Sequence, residues 1–291
     1  MHLDIRQLAQ HFAGEVSGID LKTPINQETA AAIEAGMDQY AVLVFRDQHL
    51  DEEAQFAFGQ WFGPNDVGLR AILQAKSRFR HEEFIDISNV DLAGNIVARE
   101  DRRLTAHYAN QLWHSDSSFK TPAAKFSMLT AQVIPPGGSS TEFADLRAAY
   151  DALPDAMKTE LKGLIAEHSP LHSRIMLGDD KYTPEQRAMM PPVQWPVVRV
   201  HPGSNRKTLF LGVHAERILG IPVPEGRMLL ADLLEHATQR QFVYAHHWQV
   251  GDLVMYDNRC TVHRGRRYDL SQRRELRRYT TEDVPPDMRA A

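Results

Sequence analysis

His114, Asp116 and His263 are residue types that bind divalent metals, and the first two stand two positions apart. On an extended strand, residues i and i+2 point to the same face, about 7 Å apart along the backbone. An imidazole and a carboxylate set that way can converge on one ion. The spacing alone carries little weight. His2-Leu3-Asp4 repeats it near a terminus, where a mobile pair is the plainer account. His114 differs in context, because Trp113 and Phe119 flank it as a drier wall. Far downstream, Gly251 to Tyr256 reads as a strand running into a turn, and His263 follows on the next extended segment.

Two histidines and one carboxylate suit non-haem Fe(II), because that set leaves positions open for a bidentate 2-oxo acid and for O2. Zinc more often takes a third His or a Cys, or an HExxH helix, and no HExxH occurs. A dianionic 2-oxo acid needs a cation at its far end. Arg274 stands eleven residues after His263, inside the run Arg273-Arg274-Glu275-Leu276-Arg277-Arg278. On a strand, Arg274, Leu276 and Arg278 share one face, and Arg273, Glu275 and Arg277 share the other, which is expected to be a charged surface. Arg suits a carboxylate because its planar fork makes two parallel, charge-assisted hydrogen bonds. The same run also fits a solvated face or a general anion patch.

The elements that must position these residues are mostly strands. Ala41 to Phe45, Phe84 to Ser88, Lys125 to Pro135, Ser140 to Phe143, Gln241 to Trp248, Leu253 to Tyr256 and Leu276 to Thr281 all read so. Val197 to His201 and Thr208 to Leu211 form a hairpin pattern around a longer loop. Helical periodicity falls on 26–40, 51–62, 147–153, 154–164, 183–190 and 225–237, with Asn26 and Asp51 as N-caps. Residues 63–112 are irregular around their one strand. They fit a lid over a substrate or a plain surface loop. Helices do not alternate strictly with strands, so a doubly wound sheet is not expected. The expected fold is mainly β with flanking helices: two antiparallel sheets in a jelly roll, in a single domain over 1–291.

A 291-residue chain with a formal charge of −5 gives no reason to expect nucleic acid as a partner. No apolar run approaches bilayer length, so no membrane partner is expected. One cysteine, Cys260, excludes an internal disulfide, and with no signal-peptide pattern it points to the cytoplasm.

Several stretches carry a resemblance. They are AVLVFRDQ (41–48), DISNV (86–90), NQLWHSDSSF (110–119), FADLRAAYDALP (143–154), MPPVQWPVVRVHPGSNRK (190–207), EGRMLLADLLEHATQRQFVY (225–244) and GDLVMYDNRCTVHRGRRYDLSQRRELRR (251–278). Together they resemble the TauD/TfdA family of Fe(II)- and 2-oxoglutarate-dependent dioxygenases, most of all its aryloxyacetate-cleaving branch. The resemblance implies the double-stranded β-helix (cupin-like jelly roll) and a homo-oligomer. It implies Fe(II) held by His114, Asp116 and His263, with 2-oxoglutarate and O2 as cosubstrates. Thr141 and Arg274 are then expected at the distal carboxylate of 2-oxoglutarate, and Arg278 at the acidic group of the substrate. Asn110, His201 and His214 are expected on the substrate side. The implied reaction hydroxylates an aryloxyalkanoic acid, such as 2,4-dichlorophenoxyacetate, beside its ether oxygen. The hemiacetal then collapses to a phenol and glyoxylate, while 2-oxoglutarate gives succinate and CO2. A same-fold dioxygenase for taurine or another alkylsulfonate, and a non-catalytic cupin-like binding protein, are the alternatives. The branch pattern is broken in the covering loop, where Arg70 or Ala71 stands in place of an expected lysine.

Overall fold

The computed structural model describes residues 3–69, 72, 76–101 and 103–284. His2, Arg70 and Ala71, singled out above, lie outside them. Fifteen strands occur among the described residues. In chain order they are β1 (Asp4–Gln7), β2 (Gly14–Ser17), β3 (Val42–Phe45), β4 (Ile85–Ser88), β5 (Ala124–Val133), β6 (Ser140–Asp145), β7 (Ile165–His168), β8 (Val193–Pro196), β9 (Val198–Val200), β10 (Lys207–Leu209), β11 (Ala215–Ile218), β12 (Val243–His247), β13 (Leu253–Asp257), β14 (Thr261–Gly265) and β15 (Glu275–Glu282). Seven make the major sheet, in the order β1-β2-β3-β13-β5-β15-β4, and β12-β6-β14 make a minor one. All the pairings within these two sheets are antiparallel except β2 with β3. The two sheets form the jelly roll.

The pleat sorts the side chains. Val42 and Val44 of β3, Leu129 and Ala131 of β5, Val254 and Tyr256 of β13 and Leu276 of β15 face inward. They pack with Phe143 of β6 and with Trp248. Their neighbours Leu43, Phe45, Met128, Leu253, Met255 and Tyr279 face outward and bury helices 27–40 and 52–60 through Ile33, Met37 and Phe58. Behind the minor sheet, Ala144 and Val262 join a third cluster with helix Val223–Ala237. Strands β11-β7-β8 and the hairpin β9/β10 build the far side. Among the described residues no helix is long and apolar enough to cross a membrane.

Helices begin where the side chains supply acceptors. Asn26 Oδ1 accepts from the Thr29 amide at 2.9 Å, and Asp51 Oδ1 from the Ala54 amide at 2.8 Å. Three features depart from the sequence reading. Helix Arg103–Ala109 lies inside the segment expected to be irregular. Strands β7, β8 and β11 occupy stretches with no assigned element. The second parity of β15 is not a charged surface, because Glu275 is only 5% and Arg277 only 4% exposed. Helix 52–60 covers that face. Arg277 Nε donates to Gln55 Oε1 at 2.7 Å and Nη2 to the Leu50 carbonyl at 2.9 Å.

Two consequences can be measured. A Cβ on Gly59 would lie 2.4 Å from Cδ1 of the buried Tyr279 ring, so Gly59→Ala overpacks the helix against β15. It should cost about 1–3 kcal/mol in denaturant unfolding. Burial pushes the His168 imidazole down from 6.5 to about 3. The unfolded chain therefore binds a proton that the folded chain refuses, and this part of the stability is lost as pH falls through that window. A His168→Gln variant should show a shallower fall of melting temperature between pH 6.5 and 4.

Candidate active site

The site grows from one bridge between two distant segments of the chain. The His114 amide donates to the His263 carbonyl at 3.0 Å, and the His263 amide donates to the His114 carbonyl at 2.8 Å. This pairing sets the segment 110–119 beside β14, whose other edge is held by β6 with His263 opposite Phe143. Ser115 Oγ donates to the Thr261 carbonyl at 2.7 Å, and the Asp116 amide to Asn258 Oδ1 at 2.9 Å. Backbone and side chains thus fix all three predicted ligands to the end of β13 and the start of β14.

His114 Nε2 lies 3.9 Å from Asp116 Oδ1, and His263 Nε2 lies 3.9 Å from Asp116 Oδ2. One ligating atom from each of the three residues falls within 4.8 Å of the others. His114 Nδ1 is 2.7 Å from the Leu112 carbonyl, which can only accept. That nitrogen therefore carries the proton, and Nε2 presents a lone pair. Burial lowers both imidazoles, His263 well below the usual range, so both are neutral, as ligands must be. Burial alone would raise the Asp116 carboxyl. Arg278, then His263 and His114, outweigh it and hold the group below the usual range as a carboxylate. Asp116 Oδ2 accepts from Ser127 Oγ at 2.7 Å and from the Tyr256 hydroxyl at 2.8 Å. Tyr256 is kept protonated by burial, which pushes its phenol well up. The donor set fits a divalent metal that favours imidazole and carboxylate.

One cavity joins these ligands to the predicted anion site, since His114, His263, Thr141 and Arg274 all line it. Arg274 is 5% exposed, and no carboxylate pairs with it among the described residues. Its Nε donates to Ser139 Oγ at 3.1 Å. Burial pulls its guanidinium down only to about 10, so it remains charged at neutral pH. Trp248 Nε1 donates to Thr141 Oγ1 at 2.9 Å, which leaves the Thr141 proton free for an acceptor. A buried cation without a counter-ion is costly unless a ligand supplies one, so these residues fit a carboxylate.

The remaining expected residues separate. Asn110 lines the cavity, and its carbonyl accepts from the Gly265 amide at 2.8 Å. Arg278 also lines it, but its Nη1 pairs with Asp116 Oδ1, so in this structure it serves the triad rather than an open subsite. His214 sits against the triad, with its ring 6.2 Å from His114 and 4.8 Å from Phe119. The chain reaches this position because Gly212, at φ 130°, passes so close that a Cβ would lie 3.2 Å from the Trp113 carbonyl oxygen and 3.3 Å from His114 Cα. His201 is not on the substrate side. Its Nε2 is 2.9 Å from Asp257 Oδ2 and its Nδ1 is 2.9 Å from Ser204 Oγ, so both ring nitrogens are engaged away from the cavity. His201, Asp257 and Cys260 also cluster at ligand distances. However, Asp257 is already clasped by Arg259, and burial pushes the Cys260 thiol well up, which disfavours a metal there.

Sequence reasoning missed Ser127, Tyr256, Asn258 and Trp248. The signal for Tyr256 was the pleat of Leu253 to Tyr256, which puts it on the face of Val254. Nothing local marked Ser127, whose partner Asp116 lies on another segment.

Comparison with known proteins gives the chain a family. Residues 4–280 match the model of the taurine catabolism dioxygenase TauD, TfdA family. The alpha-ketoglutarate-dependent 2,4-dichlorophenoxyacetate dioxygenase of Cupriavidus pinatubonensis is 57% identical over 272 residues, covering 94% of this chain and 95% of its own. The enzyme of the same description from Burkholderia sp. (strain RASC) is 54% identical over 281 residues, covering 97% and 95%. The crystal structure of AAD-2 in complex with Mn(II) and N-oxalylglycine superposes with a TM-score of 0.94 at 48% identity, over 98% of this chain and 99% of that one. The chain therefore belongs to the TauD/TfdA dioxygenase family.

Proposed function

We propose that the protein is an Fe(II)- and 2-oxoglutarate-dependent dioxygenase acting on an aryloxyalkanoic acid of the 2,4-dichlorophenoxyacetate type. The observation that carries this reading is the single cavity lined by His114 and His263 of the triad and by a buried arginine, Arg274, that no carboxylate pairs with among the described residues. High identity to two relatives described by that activity supplies the substrate class.

His114, Asp116 and His263 would hold the metal, which when bound with 2-oxoglutarate supplies the redox chemistry that activates O2. Arg274 and Thr141 bind the distal carboxylate of the cosubstrate and so fix its orientation. Ser127 and Tyr256 donate to Asp116 Oδ2 and keep the carboxylate from turning. Arg278 is the anchor for the substrate's acidic group. A divalent ion at Asp116 would replace the positive charge that Arg278 supplies there and leave the guanidinium to the substrate. Asn110 and His214 stand on the substrate side of the triad. Hydroxylation beside the ether oxygen gives a hemiacetal that breaks to a phenol and glyoxylate. One O2 and one 2-oxoglutarate are consumed, and one succinate and one CO2 are released.

Aryloxyacetates, 2-aryloxypropionates and taurine should be assayed for succinate, phenol and sulfite. Aryloxyacetates should release phenol in step with succinate, whereas turnover of taurine alone would overturn the substrate assignment. Arg278→Ala should raise KM for the aryloxy acid by about tenfold or more while leaving 2-oxoglutarate affinity near wild type, the loss expected for a hydrogen-bonded charge pair. Asp116→Ala should abolish the visible absorbance of the anaerobic Fe(II)–2-oxoglutarate complex in a protein with unchanged circular dichroism. Persistence of that band would refute the ligand assignment.

A further inference from the structure

Tyr268 stands in the connection between β14 and β15 and has been given no role above. It lines the cavity that Thr141, Arg274, His114 and His263 also line. Its hydroxyl is buried and makes no hydrogen bond among the described residues. The Arg274 guanidinium carbon lies 5.2 Å from the centre of its ring, and the His107 ring meets it edge-on at 5.3 Å. The ring is therefore held between two neighbours while its polar tip lacks a partner. A buried hydroxyl without a partner is uncommon, because each such group forfeits its bonds to water.

We infer that Tyr268 is a specificity-determining residue whose hydroxyl donates to the distal carboxylate of the 2-oxo acid, as the third member of a cup with Arg274 and Thr141. This rests on the assignment of 2-oxoglutarate to that cup. Two facts set the direction of donation. Burial raises the Tyr268 phenol, and the adjacent Arg274 charge offsets only part of that, so the proton stays on. Arg274 carries only N–H donors, so whatever it gives the phenol goes to the oxygen and leaves the phenol proton for an acceptor. The ring has a second task. It is shared with an adjoining cavity that contains Arg99 and Arg267, so it walls the cup from that space. A donor on such a wall rewards a carboxylate that reaches the end of the cup and gives nothing to a methyl group there.

The test uses Mn(II)-loaded protein titrated calorimetrically with 2-oxoglutarate and with 2-oxopentanoate, which has the same carbon chain without the distal carboxylate. Tyr268→Phe should weaken 2-oxoglutarate binding by roughly tenfold, the loss expected for one hydrogen bond to a charged group, and leave 2-oxopentanoate unchanged. The apparent KM for the aryloxy acid should not move. Equal weakening of both oxo acids, or no weakening of either, overturns the inference. Arg274→Met is the control arm. If it weakens 2-oxoglutarate while Tyr268→Phe does not, the role of Tyr268 fails and the cup stands. If Arg274→Met leaves 2-oxoglutarate untouched, the cup assignment itself fails. Melting temperatures of both variants separate loss of binding from loss of fold.

Discussion

Two backbone hydrogen bonds between His114 and His263 hold the site together. They join a loop from the first half of the chain to a strand of the second half, and they set two imidazoles on one line of sight. Everything functional is hung from that joint. Asp116 follows two residues along one arm, and β6 lies against the other with Thr141. β15 closes the opposite wall through its pairing with β5, and so brings Arg274 and Arg278 across from the triad. The jelly roll makes such a joint possible because its two sheets converge where a strand and a loop can exchange partners.

The interior of this site is rich in charge, and the charges are handled in different ways. Asp116 is stabilised by Arg278, Ser127 and Tyr256, so its desolvation is offset within the protein. Arg147 with Asp145, and Arg259 with Asp257, are closed pairs of the same kind that do structural work near the end of β13 and in the turn before helix 146–151. Arg274 differs, because among the described residues its side chain meets neutral hydroxyls and no carboxylate. A fold that leaves one buried cation uncompensated is poised for an anion, and this contrast separates ligand-binding charge from structural charge.

Much of this was legible from residue order. The pleat of β15 correctly sent Arg274, Leu276 and Arg278 inward, because strand parity needs only local information. The caps of helices 27–40 and 52–60 were equally local. The failures have physical causes as well. Arg277 looked like a surface residue because its run is charged, but the carbonyls of residues 50 and 51 and the amide of Gln55 accept its donors from another element. His201 looked functional through resemblance, yet its partner Asp257 is reached only through tertiary folding. Helix Arg103–Ala109 is one short stretch of seven residues with few apolar positions, so periodicity could not find it.

Gly212 gives the metal site an unexpected boundary. The chain at 212 runs so near His114 Cα that the ligand has no room to retreat, and the amide of Val213 is bonded to the Trp113 carbonyl at 2.8 Å. The segment that carries His214 and the segment that carries His114 are therefore mechanically one body. A larger side chain at 212 would press directly on the backbone of Trp113 and His114.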